Sequence, residues 1–345
     1  PTLLYDFQTA DRVESRSYAG FAHVEWHLTD KLNLIGGLRY TNDRKIYRFS
    51  RRNADGSVIS GVPLTWNFLV ASLDGLTGTF KGDRVDYRIG ANYAFSDDVM
   101  AYAQVSTGYK GGGVNPRPFV ADQVTPFDPE TLLTVEGGVK STLMDGAATL
   151  NAAVFYNDYK GIQRTVYVCP ESASTACGMP VNAGDGHSYG AEFETTIKPG
   201  GGWLLAGSLS LLDFKYDSIN PATGVTLDMM APFHSKVTAS ASVQYAADLG
   251  NSGTLTPRVD FSYQSSFYYQ AINNPAYNLI DGRALVNARL TYDSPDKAWQ
   301  LSAGVANLFN KYYLIGASEN IANFGLSSVI VGPPRTWSVS ARFNF

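Results

Sequence analysis

Apolar and polar residues alternate with a period of two through thirteen segments of the chain. They lie at 17–28, 32–48, 84–95, 99–110, 131–143, 147–163, 187–198, 203–215, 235–246, 254–268, 282–292, 298–310 and 335–345. That period sends successive side chains to opposite faces of an extended chain, so each segment predicts a β-strand with two unlike faces. In 85–95 one face carries Val85, Tyr87, Ile89, Ala91, Tyr93 and Phe95, and the other carries Asp86, Arg88, Gly90, Asn92 and Ala94. The last segment sets Trp337, Val339, Ala341, Phe343 and Phe345 against Ser338, Ser340, Arg342 and Asn344.

A soluble sandwich also alternates, and the connections separate the two cases. Short links at Thr29–Lys31, Ser96–Asp98, Met144–Gly146, Pro199–Gly202 and Asp293–Lys297 interleave with long ones at 49–83, 111–130, 164–186, 216–234, 269–281 and 311–334. Short turns on one rim and long loops on the other are the plan of a transmembrane antiparallel up-and-down β-barrel, with turns toward the periplasm and loops outside. The same plan requires an aromatic girdle on the apolar face beside the turns. Trp26, Phe95, Trp203, Tyr245, Tyr292, Trp299 and Phe345 occupy those positions. Pro257 cannot donate to a ladder, so a bulge or the turn-side start of a strand is expected there.

Composition agrees with an all-β chain. Charged residues are 17% and aromatics 13%, with 33 glycines and 21 tyrosines. A net charge of −4 argues against nucleic acid as a partner, because a polyanion needs a concentrated basic face. No apolar run is long enough for a membrane helix, which leaves a barrel open, since only alternate residues of its strands face lipid. Cys169 and Cys177 stand close together in a polar stretch and suit a local disulfide in an oxidising compartment.

Several ordered stretches resemble the barrel region of TonB-dependent outer-membrane receptors. They are Leu32–Thr41 (LNLIGGLRYT), Gly108–Asn115 (GYKGGGVN), Pro129–Ser141 (PETLLTVEGGVKS), Asp145–Gln163 (DGAATLNAAVFYNDYKGIQ), Asn182–Glu194 (NAGDGHSYGAEFE), Asn307–Tyr313 (NLFNKYY) and the terminal Phe345. The resemblance implies a barrel of about 22 strands around a plugged lumen, of which these would be the last thirteen. Residues 1–345 would then form a single β-barrel domain, with the plug domain and the first strands lying outside this sequence. It further implies residence in the outer membrane of a Gram-negative bacterium, contact with outer-membrane lipid, and monomeric action. Energy would come from TonB through the missing N-terminal region, and the cargo would be a scarce nutrient, foremost a ferric siderophore. A passive porin remains the alternative of a different class.

No nucleophile, base and orienting acid can be placed together, so no enzyme and no cofactor are expected. His23, Glu25 and His27 alternate on the polar face of the first strand; a lumen wall that meets a plug fits them better than a metal site, because residues two apart on a flat strand converge poorly. The polar face as a whole, from Arg39 and Arg88 through Gln104, Glu136, Glu192, Glu194, Lys236, Arg258, Asp260, Arg283 and Arg289 to Arg342, reads as a hydrated wall. Ligand capture is expected at the loop rim, where aromatics stand beside polar groups. The candidates are Trp66 with Phe68, then Tyr109, Lys110, Asn115 and Arg117 beside the glycine run, and Phe267, Tyr268, Tyr269 and Tyr277. His187 and His234 sit at strand ends on the same side, where ligand contact and ordinary loop solvation are both open.

Overall fold

The computed structural model describes residues 7–60, 70–166, 178–321 and 325–345. Thirteen long strands form one antiparallel meander in which each strand pairs with the next in sequence. They are β1 (Arg12–His27), β2 (Leu32–Arg48), β3 (Thr77–Ser96), β4 (Val99–Lys110), β5 (Glu130–Leu143), β6 (Ala148–Val166), β7 (Met179–Gly200), β8 (Trp203–Ile219), β9 (Val237–Tyr245), β10 (Thr254–Gln264), β11 (Arg283–Asp293), β12 (Trp299–Ala306) and β13 (Thr336–Phe343). The expected segments match these strands one for one. Among the described residues, the outer edges of β1 and β13 pair with no further strand.

Register carries the two-faced pattern around the whole wall. One row of partners runs Val24, Gly36, Ile89, Val105, Val135 and Tyr156, and another runs Leu205, Val243, Val259, Ala288, Val305 and Trp337. Residues abreast in an antiparallel ladder share a face, so the apolar positions form a continuous outer surface. Most of its large side chains stay open to the surroundings, with Val24 62% exposed, Ile89 63% and Val339 86%, although Val305 is buried. By contrast, the three clusters of buried apolar residues found among the described residues sit on the loop side, in the long loops and the strand ends that enter them. They are built on Phe49, Val70 and Leu73, on Ile162, Tyr216, Val225 and Ala271, and on Phe267, Ile280 and Ala317. A water-soluble sheet would bury its strand face and leave its loops wet; the inverse arrangement fits a wall whose outer solvent is hydrocarbon.

The turn rim is built from backbone shapes that glycine supplies. Gly200, Gly201 and Gly202 all have positive φ, and a Cβ on Gly202 would lie 2.3 Å from the Ala246 carbonyl oxygen. Beside this rim the aromatics pair across strands: Trp203 lies abreast of Tyr245 with ring centroids 4.7 Å apart, and Trp299 is abreast of Phe343 at the same separation. Trp26, Phe95 and Trp299 are at least half exposed, as side chains at a headgroup boundary would be. Pro257 lies near the turn-side start of β10. The register reads Gln244 to Arg258 and Ala247 to Leu255 on either side of it, so the ladder skips two pairs without the extra residue of a bulge.

Strand lengths depart from expectation on the loop side. β3 begins at Thr77 instead of 84, and β7 begins at Met179 instead of 187, because these strands continue into a zone where the alternation no longer marks lipid against water. β10 stops at Gln264 instead of 268, after which Phe267–Tyr268 turns away to pair with Leu279–Ile280. β12 stops at Ala306, since Asn307 takes a left-handed conformation with φ of 51°. The buried Asn307 side chain donates to the Lys311 and Pro333 carbonyls at 2.8 and 3.3 Å and so fixes that corner. Further short hairpins within the loops pair Phe7–Thr9 with Arg51–Asn53, Gly113–Val114 with Pro126–Phe127, and Leu314–Asn320 with Leu326–Val331.

Candidate ligand-binding rim and lumen wall

The inner face of the wall is polar along its length and its charges are held in place by neighbours. Tyr102 and Gln104 donate to Glu136 at 2.7 and 3.2 Å, and Arg84 meets Asp86 at 2.7 Å. Arg258 grips Asp260 through Nε and Nη2, the closest contact being 2.6 Å. Around that pair lies a bay of about 510 Å³ lined by Asn151, Glu194, Thr196, Ser208, Ser240 and Ser242. Carboxylates, hydroxyls and guanidinium groups that face inward keep water beside them, and a guanidinium turned outward would cost about 2–4 kcal/mol at mid-bilayer. His23 contacts Glu25 at 3.3 Å, while His27 contacts Asn33 at 2.5 Å. His23 and Glu25 therefore pair with each other while His27 turns to Asn33, and among the described residues no group of three His, Cys, Asp or Glu converges on a metal-sized space.

At the loop rim the candidate residues fall into two groups. Tyr109 donates to Asp43 of β2 at 2.5 Å, and Lys45, on the same face of β2, donates to the Gly112 carbonyl at 2.7 Å. The glycine run thus lies over the inner side of β2 and β3, where a Cβ on Gly112 would strike the Phe80 ring at 2.5 Å. Asn115 is fully buried; its amide donates to the Gln123 carbonyl and its carbonyl accepts from the Arg117 backbone N–H, both at 3.1 Å. This fastening leaves the Arg117 side chain exposed on a fixed backbone. Lys110 is exposed at the end of β4.

The second group belongs to the loop 265–282. Phe267 is buried with Ile280 and Ala317, Tyr269 packs edge-on against Phe233 at 4.9 Å, and Tyr268 accepts the Phe233 backbone N–H at 2.8 Å. Asn274 and Gln270 hold this loop to Glu319 at 2.8 and 3.1 Å, and Tyr277 stands exposed beyond them. Trp66, Phe68 and the Cys169–Cys177 pair lie outside the described residues. His187 stacks between Tyr156 and Tyr189 and contacts Asp217 at 2.8 Å, whereas His234 is buried beside Phe214.

Two residues that the candidate set omits join the groups. Beyond an irregularity at Gly161 (φ 64°) in β6, Ile162 packs with Val225 of the loop after β8 and with Ala271 of the second group. The next residue, Gln163, donates from its amide to the carbonyls of Lys110, Gly111 and Asp128 in the first. The only sequence signal is a glycine interrupting the alternation of a long strand, in the stretch DYKGIQ.

An antiparallel wall with an apolar outside, a hydrated inside and loops gathered on one rim defines the class: a transmembrane β-barrel. Residues 2–308 match the family model for the TonB dependent receptor-like β-barrel, and the chain belongs to that family. Its place is therefore the outer membrane of Gram-negative bacteria. It is similar to the pesticin receptor of Yersinia pestis, at 27% identity over 99% of this chain and 46% of that protein. In fold it is similar to the ferric yersiniabactin uptake receptor from Yersinia pestis, with a TM-score of 0.79 at 22% identity over 99% of this chain and 47% of that one. The ferric-catecholate import receptor Fiu of E. coli K12, in its closed form, gives a TM-score of 0.71 at 18% identity, covering 97% of this chain and 45% of that one. The chain spans about half the length of the relatives it matches.

Proposed function

We propose that this wall belongs to an active-transport receptor that captures a scarce, bulky nutrient at the loop rim and passes it along the hydrated lumen. A ferric siderophore is the first candidate cargo, as the names of the relatives suggest. The observation that carries the reading is the rim itself: aromatic and polar side chains there are presented on loops cross-tied by side-chain amides such as those of Gln163 and Asn274, above an inner face that stays wet. Prearranged loops lose less freedom when a ligand binds, which favours affinity over simple passage. In this reading the chain supplies thirteen strands of a larger barrel that acts as a monomer. A plug and a TonB-engaging segment would belong to the rest of the protein.

The test is uptake of iron-loaded siderophores by iron-starved cells carrying the intact receptor. Uptake that stops when TonB is deleted, together with ligand binding that persists, supports the proposal. Uptake unchanged by loss of TonB, proportional to external concentration and insensitive to rim substitutions, would restore the passive porin.

A further inference from the structure

The polarity of the wall inverts near the loop side, and at the inversion three cations stand side by side on the outer face. Arg16 of β1 pairs in register with Arg44 of β2, and Arg44 pairs with Lys81 of β3. All three are exposed, and they share a face with Val24, Trp26, Leu38 and Ile89, which turn toward lipid. Like charges directly abreast on a sheet repel, so this row is unfavourable unless something negative lies over it.

Height places the row at a boundary. Ten residues separate Trp26 from Arg16 along β1. At about 3.3 Å per residue and a tilt of about 40°, the cations stand roughly 25 Å above the tryptophan level, close to the full height of the apolar band. Tyr18 and Tyr40 lie just below as the upper aromatic anchors, both strongly exposed. The row therefore reaches the headgroups of the outer leaflet.

Local carboxylates offset it only in part, Glu14 lying near Arg16 but making its contacts with other arginines. Glu14, one step above, is engaged by Arg48 at 2.5 Å and by Arg12 at 3.4 Å. Asp83, one step below, is exposed, and among the described residues no acidic group lies within 4.0 Å of the charged ends of Arg16, Arg44 or Lys81. Farther round the barrel, at the loop side of β6 to β9, Lys160 meets Asp158, His187 meets Asp217, and Lys236 meets Asp213. Among the described residues, the β1 to β3 sector thus presents three adjacent cations that no ion pair engages.

We propose that Arg16, Arg44 and Lys81 form a docking surface for the phosphate groups of anionic outer-leaflet lipid. Guanidinium and ammonium groups abreast suit a multiply phosphorylated headgroup, the guanidinium forks taking oxygens in pairs. The proposal concerns the lipid-facing exterior and is independent of the cargo.

Its test uses the intact receptor in phosphatidylcholine nanodiscs doped with lipid A, a phosphate-bearing glycolipid, with retained lipid counted by native mass spectrometry. Combining Arg16→Gln, Arg44→Gln and Lys81→Gln should lower lipid A retention about tenfold. Lys160→Gln, at a cation already paired with Asp158, should leave it unchanged. Asp83→Asn should raise retention, which keeps the test decisive if the triple variant fails to fold. Dephosphorylated lipid A should lose the preference. Equal retention by wild type and a folded triple variant, or equal binding of the dephosphorylated lipid, overturns the proposal, as does displacement by inorganic phosphate alone at matched phosphate concentration.

Discussion

The side-chain amide of Gln163 donates to the Asp128 carbonyl across 3.0 Å, and so ties the loop after β4 to the top of β6, thirty-five residues away in sequence. The same nitrogen lies 3.3 and 3.2 Å from the Lys110 and Gly111 carbonyls, while the Gln163 backbone N–H donates to Glu130 at 2.7 Å. Gln163 is buried, so its loss strands carbonyl groups away from water at about 1–3 kcal/mol. Gln163→Ala should therefore leave the barrel intact and raise amide exchange across 111–129 by about tenfold or more. Hydrogen exchange read by mass spectrometry checks this. Protection unchanged in that loop would show that the amide does not hold it.

The outward and inward faces can be told apart by a pair of adjacent substitutions. Ala241 lies on the apolar face between Gly207 and Phe261, about 10 Å above the Trp203 and Tyr245 level, whereas Ser242 lies abreast of Asp260 on the polar face. Ala241→Arg should destabilise the folded barrel by about 2–4 kcal/mol. Ser242→Arg should cost little, because water and Asp260 are both at hand. Folding into lipid vesicles across a urea series measures both. Equal costs would mean that the faces are wrongly assigned.

How far the fold is legible in sequence follows from where each strand meets lipid. Between the girdles a residue such as Val85 must be apolar and its neighbour Asp86 polar, so alternation marks β3 clearly there. Above that zone the pattern reverses: Phe80 turns inward against Gly112, and Lys81 turns outward into the headgroups. Thr77–Asp83 consequently reads as loop to a rule that expects apolar residues outside. The rim is less legible still. Tyr109 and Asn115 stand out as types, but their bonds to Asp43 and Gln123 depend on how strands splay and loops fold back, which no local period records. Gln163 is overlooked for the same reason, since its partners lie in another loop.

His234 supplies a pH dependence. It is buried beside Phe214, its Nε2 has no hydrogen-bond partner, and burial holds its pKa below the usual 6.5; the positive charge of Lys236 acts in the same direction, against Asp213 and a backbone bond with Leu212. The folded loop thus favours the neutral ring, while the unfolded loop takes up a proton near pH 6.5. Stability from this residue is fully present above pH 6.5 and is lost as pH falls from there through the lowered folded value. The loop 220–236, joined to 265–282 through Phe233 and Tyr268, should open more readily at pH 5.5 than at pH 7.5. His234→Gln should flatten that difference, as amide exchange at the two values would reveal. Greater protection at the lower value would reverse the sign and defeat the argument.

Ligand capture separates residues that present a group from residues that hold the presenter. Arg117 and Tyr277 expose their side chains from fastened loops, one cationic and one aromatic, as contacts to an anionic or ring-bearing chelate would require. Arg117→Ala and Tyr277→Ala should each weaken binding of a transported ferric siderophore by about tenfold with loop exchange unchanged. Asn115, buried and bonded to its own loop, should act through order instead: Asn115→Ala should weaken binding and raise exchange in 111–129 together. Titration of each variant by intrinsic fluorescence, beside its exchange profile, distinguishes the roles. If Arg117→Ala and Tyr277→Ala bind as wild type while Asn115→Ala does not, the capture surface lies elsewhere on the rim and the first loop group only shapes it.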